Sequence, residues 1–422
     1  EAQKEGKTAA AIRRFDEAEN HYQAAEKFLR ELESRYSQTP QYQALHLPAQ
    51  AISLLTQKGL TECTAERVFA QAVELFTKKE LFDLKLLLEK MKIEYPGTTA
   101  LQDESRKPSF RELEKTVENL GRRFIVRQDG KGDFTSIQAA IDAAPPNSLI
   151  EIQDSNIYYE QVRIDKEGTT LRGARGCWPI IMSGGPLGAV GDLLLISGRN
   201  VQVHRILVIH YGSPAYHHTV RAKTPCTLRQ VLWLGTPCYL EHPGSRVHAC
   251  IGGPVEYAFR ATPPVEAHGL ILLHPHNGFA LAGDPLSEPS TIENAFVQGS
   301  TRIETPAILK NVTFLNPMTI HFDKVQIRAS ILGGISGPAE NTELEFCGLM
   351  SRETAKAKLG RGCFFVKPEF VAPELLDYRL SPKTIIPPEV AAVGPIGFVP
   401  SPELLELIEV ALELRRRAII RF

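Results

Sequence analysis

The sequence predicts a mainly β protein, a solenoid of parallel sheets preceded by an all-α domain and followed by a C-terminal helix. Three observations support this fold class. Residues 1–120 show helical periodicity and almost no strand pattern, residues 121–400 show short apolar alternations broken by Gly, Pro and Asn, and residues 401–422 form one amphipathic stretch. A length of 422 residues suits two or three folding units. These boundaries therefore define the predicted domains.

Apolar residues at helical spacing predict four helices in the first domain. They cover residues 9–36, 42–56, 65–77 and 81–94. The second is expected to end at a Lys-Gly pair (58–59) and the fourth at a Tyr-Pro-Gly break (95–97). Two segments, 29–40 and 88–99, look alike, and the tract resembles tetratricopeptide-type helical hairpins. An irregular helical bundle is the alternative.

One eight-residue pattern recurs in the β domain, with apolar residues at positions 1, 3, 6 and 8. It starts at residues 201, 226, 265, 307 and 325, and Leu344, Phe346 and Leu349 keep three of its positions. Apolar residues at every second position predict strands. The interval of three between positions 3 and 6 breaks this alternation and predicts a bend in each strand. The interval from 265 to 307 has room for two turns. One bent strand every ~20 residues is typical of a solenoid rather than of a β-sandwich.

Residues 124–142 predict a strand, a Gly-rich turn and a short helix with Phe134, Ile137 and Ile141 facing inward. This opening, with the stretch 149–174 after it, resembles the first turns of pectin methylesterases and related right-handed parallel β-helix proteins. The segment 376–382 resembles the closing turn of bacterial β-helix proteins. The resemblance implies a right-handed parallel β-helix over residues 121–400.

The same resemblance places the family's catalytic positions in the central turns, where this chain departs from the family. Pro237 aligns with the glutamine that holds the oxyanion, Cys238 with the acid/base aspartate and Glu256 with the nucleophilic aspartate. Pro237 has no side-chain donor and Cys238 is a weak one. Losing an acid/base group costs ~10²–10⁴-fold in rate, and losing an oxyanion donor costs on the order of 10²–10³-fold. These positions are therefore predicted to be vestigial, with no catalytic residues and no cofactor.

Side chains near these positions are the predicted ligand-binding residues, because aromatic rings stack on sugars and arginines bind their acidic groups. They are Tyr239, Tyr257, Arg246, Arg260 and His248. Trp233 fits either a glycan groove or the core, since it occupies an apolar position of the eight-residue pattern.

The central part of the β domain is rich in histidine and contains three evenly spaced cysteines. Nine of the twelve histidines lie between His204 and His276, including His274 and His276 on one predicted strand. A metal site there is the alternative to isolated turn and core histidines, which we favour, so no metal is predicted. Cys226, Cys238 and Cys250 are interpreted as small buried hydrophobic residues; the alternative for Cys238, with His242, is a thiol nucleophile.

The C-terminal stretch 401–422 predicts a helix with Ser401 as its N-cap and Pro402 in its first turn. Its apolar stripe is expected to cover either the last turn of the solenoid or the N-terminal helices. A basic helix on a membrane surface is the alternative.

A formal charge of −1 argues against a nucleic-acid partner, and no apolar run approaches the ~20 residues that span a bilayer. The sequence therefore predicts a non-catalytic, pectinesterase-like binding module for a polysaccharide or an envelope protein. Periplasmic or cell-surface localisation is favoured, with the extracytoplasmic region of a larger bacterial protein, such as a receptor-like kinase, as one expected setting. One alternative is a carbohydrate esterase or polysaccharide lyase with rewired residues around Glu256, His248 and Arg246. The other is a structural assembly module.

Overall fold

A computed structural model describes the chain except for residues 1, 79, 184–190, 211–216, 254–257, 274–276, 285, 322–323, 338–341, 352–357 and 421–422. The chain divides into two compact units, Glu1–Leu120 and Gly121–Phe422. The helices are α1 (Ala2–Tyr36), α2 (Pro40–Thr77), α3 (Leu81–Glu94), α4 (Thr99–Gln102), α5 (Phe110–Val117), α6 (Ile137–Ala143), α7 (Pro388–Ala391) and α8 (Pro402–Arg416).

The first unit is entirely helical, and its long helices differ from the prediction at one point. The two helices expected over 42–56 and 65–77 are a single helix, α2, which continues through Gly59. A Cβ atom at residue 59 would lie 2.4 Å from Cζ of Tyr22 on α1. Gly59 therefore lets the Tyr22 ring lie against the backbone of α2, and the prediction that it ends a helix was wrong. The predicted helix 81–94 is confirmed as α3.

Helix α5 was not anticipated, although the sequence carries its start signal. The Ser109 hydroxyl accepts a hydrogen bond from the Glu112 backbone, and the Glu112 carboxylate accepts one from the Ser109 backbone. This reciprocal capping box satisfies two backbone donors that the helix leaves unpaired. The helix then buries Phe110, Leu113 and Val117 in the core of the first unit.

The second unit is built mainly of short strands. They are β1 (Arg123–Val126), β2 (Leu149–Ile152), β3 (Ile157–Tyr158), β4 (Val162–Ile164), β5 (Thr170–Gly173), β6 (Ile180–Met182), β7 (Leu194–Ile196), β8 (Val201–Ile209), β9 (Val220–Ala222), β10 (Cys226–Leu234), β11 (Cys238–Leu240), β12 (Ser245–Gly253), β13 (Phe259–Ala261), β14 (Val265–Leu272), β15 (Asn277–Leu281), β16 (Ser290–Val297), β17 (Ser300–Ile303), β18 (Ala307–Lys310), β19 (Thr313–Ile320), β20 (Val325–Arg328), β21 (Ile331–Ser336), β22 (Glu343–Glu345), β23 (Gly348–Leu349), β24 (Lys358–Leu359), β25 (Phe364–Phe365), β26 (Phe370–Ala372) and β27 (Asp377–Leu380).

Strands β1–β25 pair in parallel with strands one turn of chain away, and the pairs fall into three ladders. The first ladder contains β1, β2, β5, the first halves of β8, β10, β12, β14 and β16, then β18, β20, β22 and β24. The second contains β3, β6, the second halves of the same long strands, the start of β19 and β21, then β23 and β25. The third contains β4, β7, β9, β11, β13, β15, β17 and the ends of β19 and β21. This large parallel sheet is compatible with the predicted β-helix.

A left-handed residue marks the corner between the first and second ladders. Position 5 of each eight-residue segment has a positive φ of about 50–70°; these residues are Arg205, Gln230, Ala249, Gly269, Asn294, Asn311 and Ala329. The bend that the sequence predicted between positions 3 and 6 is therefore confirmed. At non-glycine positions this conformation is uncommon, and its repetition shows that the paired strands on both sides impose it.

The predicted pattern residues form the interior of the second unit. Apolar side chains at positions 1, 3, 6 and 8 of the segments starting at 201, 226, 265, 307 and 325 belong to one buried cluster. Two further segments, in β12 and β16, escaped prediction because position 1 is Ser245 or Ser290. Each hydroxyl is buried and accepts a hydrogen bond from the backbone of the previous turn. Phe346 was placed wrongly in the pattern: it is the left-handed corner residue, and Cys347 takes the interior position.

Other predictions for the second unit can be compared directly. Ile137 and Ile141 are buried on α6, with Phe134 packed against the same cluster, as predicted. The segment 376–382 contributes β27, which pairs antiparallel with β26. The Tyr378 ring stacks on Phe296, with centroids 3.6 Å apart. Among the described helices, none is long and apolar enough to cross a bilayer.

Helix α8 covers the outward side of the second ladder. Its stripe of buried residues is Leu404, Leu407, Ile408, Ala411 and Leu414. They share a cluster with outward residues of the long strands, among them Leu207, Leu232, Ile251 and Ile271. The Ser401 hydroxyl caps the helix by accepting from the Leu404 backbone, as predicted. The surface that α8 covers is therefore the middle of the second ladder, and the expectation that it covers the last turn was wrong.

Candidate functional site

The outward side of the third ladder carries a polar and aromatic patch. On β11, Cys238 and Leu240 point into the core, so the alternation of the strand directs Tyr239 outward. Arg260 is its register partner on β13, and the Arg260 guanidinium lies over the Tyr239 ring at 5.1 Å from the centroid. Arg260 is exposed and, within the described part of the chain, has no ion-pair partner. The structure thus brings together two of the five predicted binding residues.

An imidazole oriented by a carboxylate lies beside this pair. The Asp192 carboxylate is 2.8 Å from Nδ1 of His218 and also accepts a hydrogen bond from the His218 backbone. The His218 ring is 5.5 Å from the Tyr239 ring, centroid to centroid. Burial alone would raise the pKa of Asp192, but the hydrogen bonds from His218, together with the charge of Arg221, lower it. A carboxylate on Nδ1 leaves Nε2 as the ring atom that can accept or donate a proton elsewhere.

Arg221 connects the parts of the patch. Its side chain is 3.3 Å from the Asp192 carboxylate and 2.5 Å from that of Glu241. Arg221 is also the register partner of Tyr239 on β9. We call the group Asp192, His218, Arg221, Tyr239, Glu241 and Arg260 the third-ladder patch. Since Arg221 is paired with two carboxylates, Arg260 is the cation of the patch that remains available to an anionic ligand.

Two of the other predicted binding residues, Arg246 and His248, lie on a different ladder. Arg246 and His248 are on the first half of β12, where Arg246 pairs with Glu266 at 2.8 Å. The His248 ring stacks on that of His268 at 5.4 Å, nearly parallel to it. Burial, followed by the charges of His268 and Arg229, lowers the pKa of His248 to about 4. These residues are therefore part of a ladder of stacked polar side chains, and are separate from the third-ladder patch.

The predicted vestigial positions have distinct environments. Cys238 is fully buried in the interior, and burial raises the pKa of its thiol well above the ordinary value. The Pro237 carbonyl accepts hydrogen bonds from Thr219 and Val220 of the adjacent turn. Neither residue presents a proton-donating side chain on the surface. Glu256 and Tyr257 lie outside the described residues, as do His274 and His276.

The remaining sequence hypotheses concern tryptophan, cysteine and metal. Trp233 is fully buried, and its indole donates to the Ala258 carbonyl at 2.7 Å, so it belongs to the core. Cys226, Cys238 and Cys250 are free and buried, which confirms their interpretation as small hydrophobic residues. Within the described ranges, no three His, Cys, Asp or Glu side chains converge where a metal ion could bind.

Sequence reasoning missed Asp192, Arg221 and Glu241. Asp192 and His218 are 26 residues apart, and Arg221 and Glu241 are 20 apart, which are both spacings of one turn. A search for opposite charges one turn apart would have found both contacts. No protein-family model matches this chain, and no curated protein matches it either.

Proposed function

We propose that residues 121–400 form a right-handed parallel β-helix of the pectin methylesterase-like class, and that it acts as a non-catalytic module binding an acidic polysaccharide on the third-ladder patch. The three parallel ladders with a left-handed corner in each turn support the fold. A helical, tetratricopeptide-like domain precedes the module in this proposal, and an extracytoplasmic setting would bring it into contact with envelope polysaccharides.

One observation carries the binding proposal, the exposed Arg260 guanidinium held over the Tyr239 ring. The guanidinium offers paired donors to a carboxylate, and the Tyr239 ring beneath it holds it in place by a cation–π contact. Arg246 is also an exposed arginine in the middle of a strand, but Glu266 already neutralises it. The patch therefore favours a uronate-containing chain over a neutral one.

The test measures binding of polygalacturonate oligosaccharides by calorimetry. Arg260→Gln is expected to weaken binding roughly 10-fold, since a charge-assisted hydrogen bond contributes ~1.5–3 kcal/mol. Tyr239→Ala is expected to weaken it by a similar factor. Arg246→Gln is the matched control and should bind like the wild type. Equal losses in Arg260→Gln and Arg246→Gln would instead indicate nonspecific charge attraction, and would contradict the proposal.

The Asp192–His218 pair favours a second candidate, a polysaccharide lyase or carbohydrate esterase in which His218 is the general base. We expect no methanol release from methylated pectin above background, because Cys238 points into the core and Pro237 provides no donor. Release of methanol or of unsaturated sugars that is lost in Asp192→Asn would establish the enzyme instead. His242→Gln, a change at an exposed histidine, is the control for that assay.

A further inference from the structure

A second concave surface lies away from the third-ladder patch, between α8 and the first turns of the second ladder. The cleft has a volume of about 630 Å³ and lies within the second unit. Its floor is apolar and includes Ile157, Ile180 and Leu207. Small-molecule sites commonly have volumes of ~300–1,000 Å³, with an apolar lining and a few polar groups. The cleft has the size and lining of such a site.

Two aromatic side chains line this cleft. Tyr159 follows β3 and is 64% exposed, which is a large fraction for a tyrosine in a folded unit. Trp178 precedes β6 and is half-buried, packed on one side against the cluster beneath α8. Its backbone amide donates to the Ser155 hydroxyl at 2.9 Å, which fixes this segment in place. The two rings therefore provide apolar surface on a fixed backbone, open to a ligand.

The opposite wall is polar and comes from the second half of α8. Glu409, Glu413 and Arg417 line the cleft. Glu413 is also paired with Arg416 at 2.9 Å. Within the described residues Glu409 has no ion-pair partner, and it is exposed. Since Arg416 neutralises Glu413, Glu409 is the carboxylate of this wall that can still accept hydrogen bonds from a ligand.

We propose that this cleft binds a neutral sugar unit of an oligosaccharide, with its ring face on Trp178 and Tyr159 and its hydroxyl groups donating to Glu409. A pyranose has apolar C–H faces and a rim of hydroxyl donors, so it matches an aromatic wall opposite a carboxylate. A ligand carboxylate placed at Glu409 would be repelled by it, which favours a neutral sugar over a uronate at this position. This selection is opposite to that of the third-ladder patch, so the two sites are independent.

Intrinsic fluorescence tests the proposal directly, because the chain has only two tryptophans. Trp233 is fully buried in the core and is shielded from quenchers. Acrylamide quenching therefore reports mainly on Trp178. A panel of neutral oligosaccharides (gluco-, xylo-, manno- and galacto-configured) at up to about 10 mM should include one that protects Trp178 from quenching. Uronate oligosaccharides should protect it less.

Variants locate the binding site. Tyr159→Ala and Glu409→Gln are each expected to raise the Kd of the protecting sugar roughly 10-fold, as expected for losing one ring contact or one charge-assisted hydrogen bond. Both side chains are exposed, so neither change should alter the melting temperature. Phe365→Ala removes a ring of similar exposure at the last turn of the second ladder, and should leave the Kd unchanged.

Two outcomes would overturn the proposal. One is that no neutral oligosaccharide protects Trp178; the other is that protection is the same in Tyr159→Ala, Glu409→Gln and the wild type. Neither outcome bears on the third-ladder patch, which is tested with a different ligand and different variants. A failure of polygalacturonate to bind the third-ladder patch, conversely, leaves this proposal standing.

Discussion

The imidazole of His248 lies nearly parallel to that of His268, and three charged side chains act on it. His268 and Arg229 lower the pKa of His248, while Glu266 and Glu403 raise it; burial is the largest influence, and the outcome is a pKa of about 4. In the unfolded chain the ordinary value is 6.5. The folded state therefore favours neutral His248. Its contribution to stability is complete above pH 6.5 and is lost as the pH falls from 6.5 towards 4.

We expect the melting temperature to fall between pH 7 and pH 5, and to fall less in His248→Gln than in the wild type. The exposed His242 provides the matched control, and His242→Gln should keep the wild-type pH dependence. Thermal unfolding at constant ionic strength measures the pH dependence of the melting temperature in the wild type and in both variants. A wild-type slope in His248→Gln would show that other groups, such as the half-buried His204, cause the loss of stability in this range.

The candidate site shows what single residues reveal before the fold is known. Tyr239 and Arg260 were identified as ring and cation, and the structure brings them into contact because they occupy the same register position one turn apart. Arg246 was grouped with them by sequence proximity, yet it lies on another ladder. The chemical character of each binding residue was therefore predictable from the sequence. Its ladder was not, because that depends on the residue at which each turn begins, and the sequence pattern does not mark that residue.

Helix α8 is bound to the long strands by both apolar and polar contacts. Its buried stripe packs on outward residues of the second ladder, and the Glu406 carboxylate accepts from the Gln230 amide at 2.8 Å. Gln230 is one of the left-handed corner residues, and its amide also pairs with His204 at 2.9 Å. The helix therefore attaches at the left-handed corner that the eight-residue segments share.

Two leucines on α8 have the same helix propensity but differ in burial, so replacing each with alanine isolates the effect of burial on stability. Leu407 is fully buried and Leu405 is 42% exposed. Leu407→Ala is expected to reduce the free energy of unfolding by ~2–5 kcal/mol, because a large core side chain leaves a cavity. Leu405→Ala should change it by no more than about 0.5 kcal/mol. Urea denaturation of the full chain gives both values, and equal effects would mean that α8 does not dock on the ladder.

The elements themselves were predictable to different degrees. The helix over 81–94 and the pattern segments were found because their apolar periodicity is regular. Gly59 misled the prediction, since the cost of a glycine within a helix is offset here by the close approach of Tyr22. The segments in β12 and β16 stayed hidden because buried serines replace an apolar residue at position 1.

The chain as a whole consists of two units with separate cores. The buried cluster of the first unit extends to Val117, and the cluster of the second begins at Phe124. The loop character of Thr98-Thr99 and Lys107-Pro108 makes the segment from about 98 to 123 the expected site of proteolysis. Helix α5 excludes residues 110–117 from the protease-sensitive segment, because Phe110, Leu113 and Val117 hold them in the core of the first unit. The segment from 118 to 122 is the part that lies outside both helix and strand.

Limited trypsin treatment is therefore expected to cut first after Arg122, which is exposed and precedes β1. The C-terminal fragment should begin at Arg123 and remain soluble. It should melt close to the temperature of the corresponding transition in the intact chain, because the buried clusters of the ladders and α8 consist of residues from Phe124 onward. Arg122→Gln should slow this first cut, while the exposed Lys115, held within α5, should be cut more slowly than Arg122 in the wild type. A first cut within α5, or a fragment from 123 that unfolds on release, would show that the second unit depends on the first for its stability.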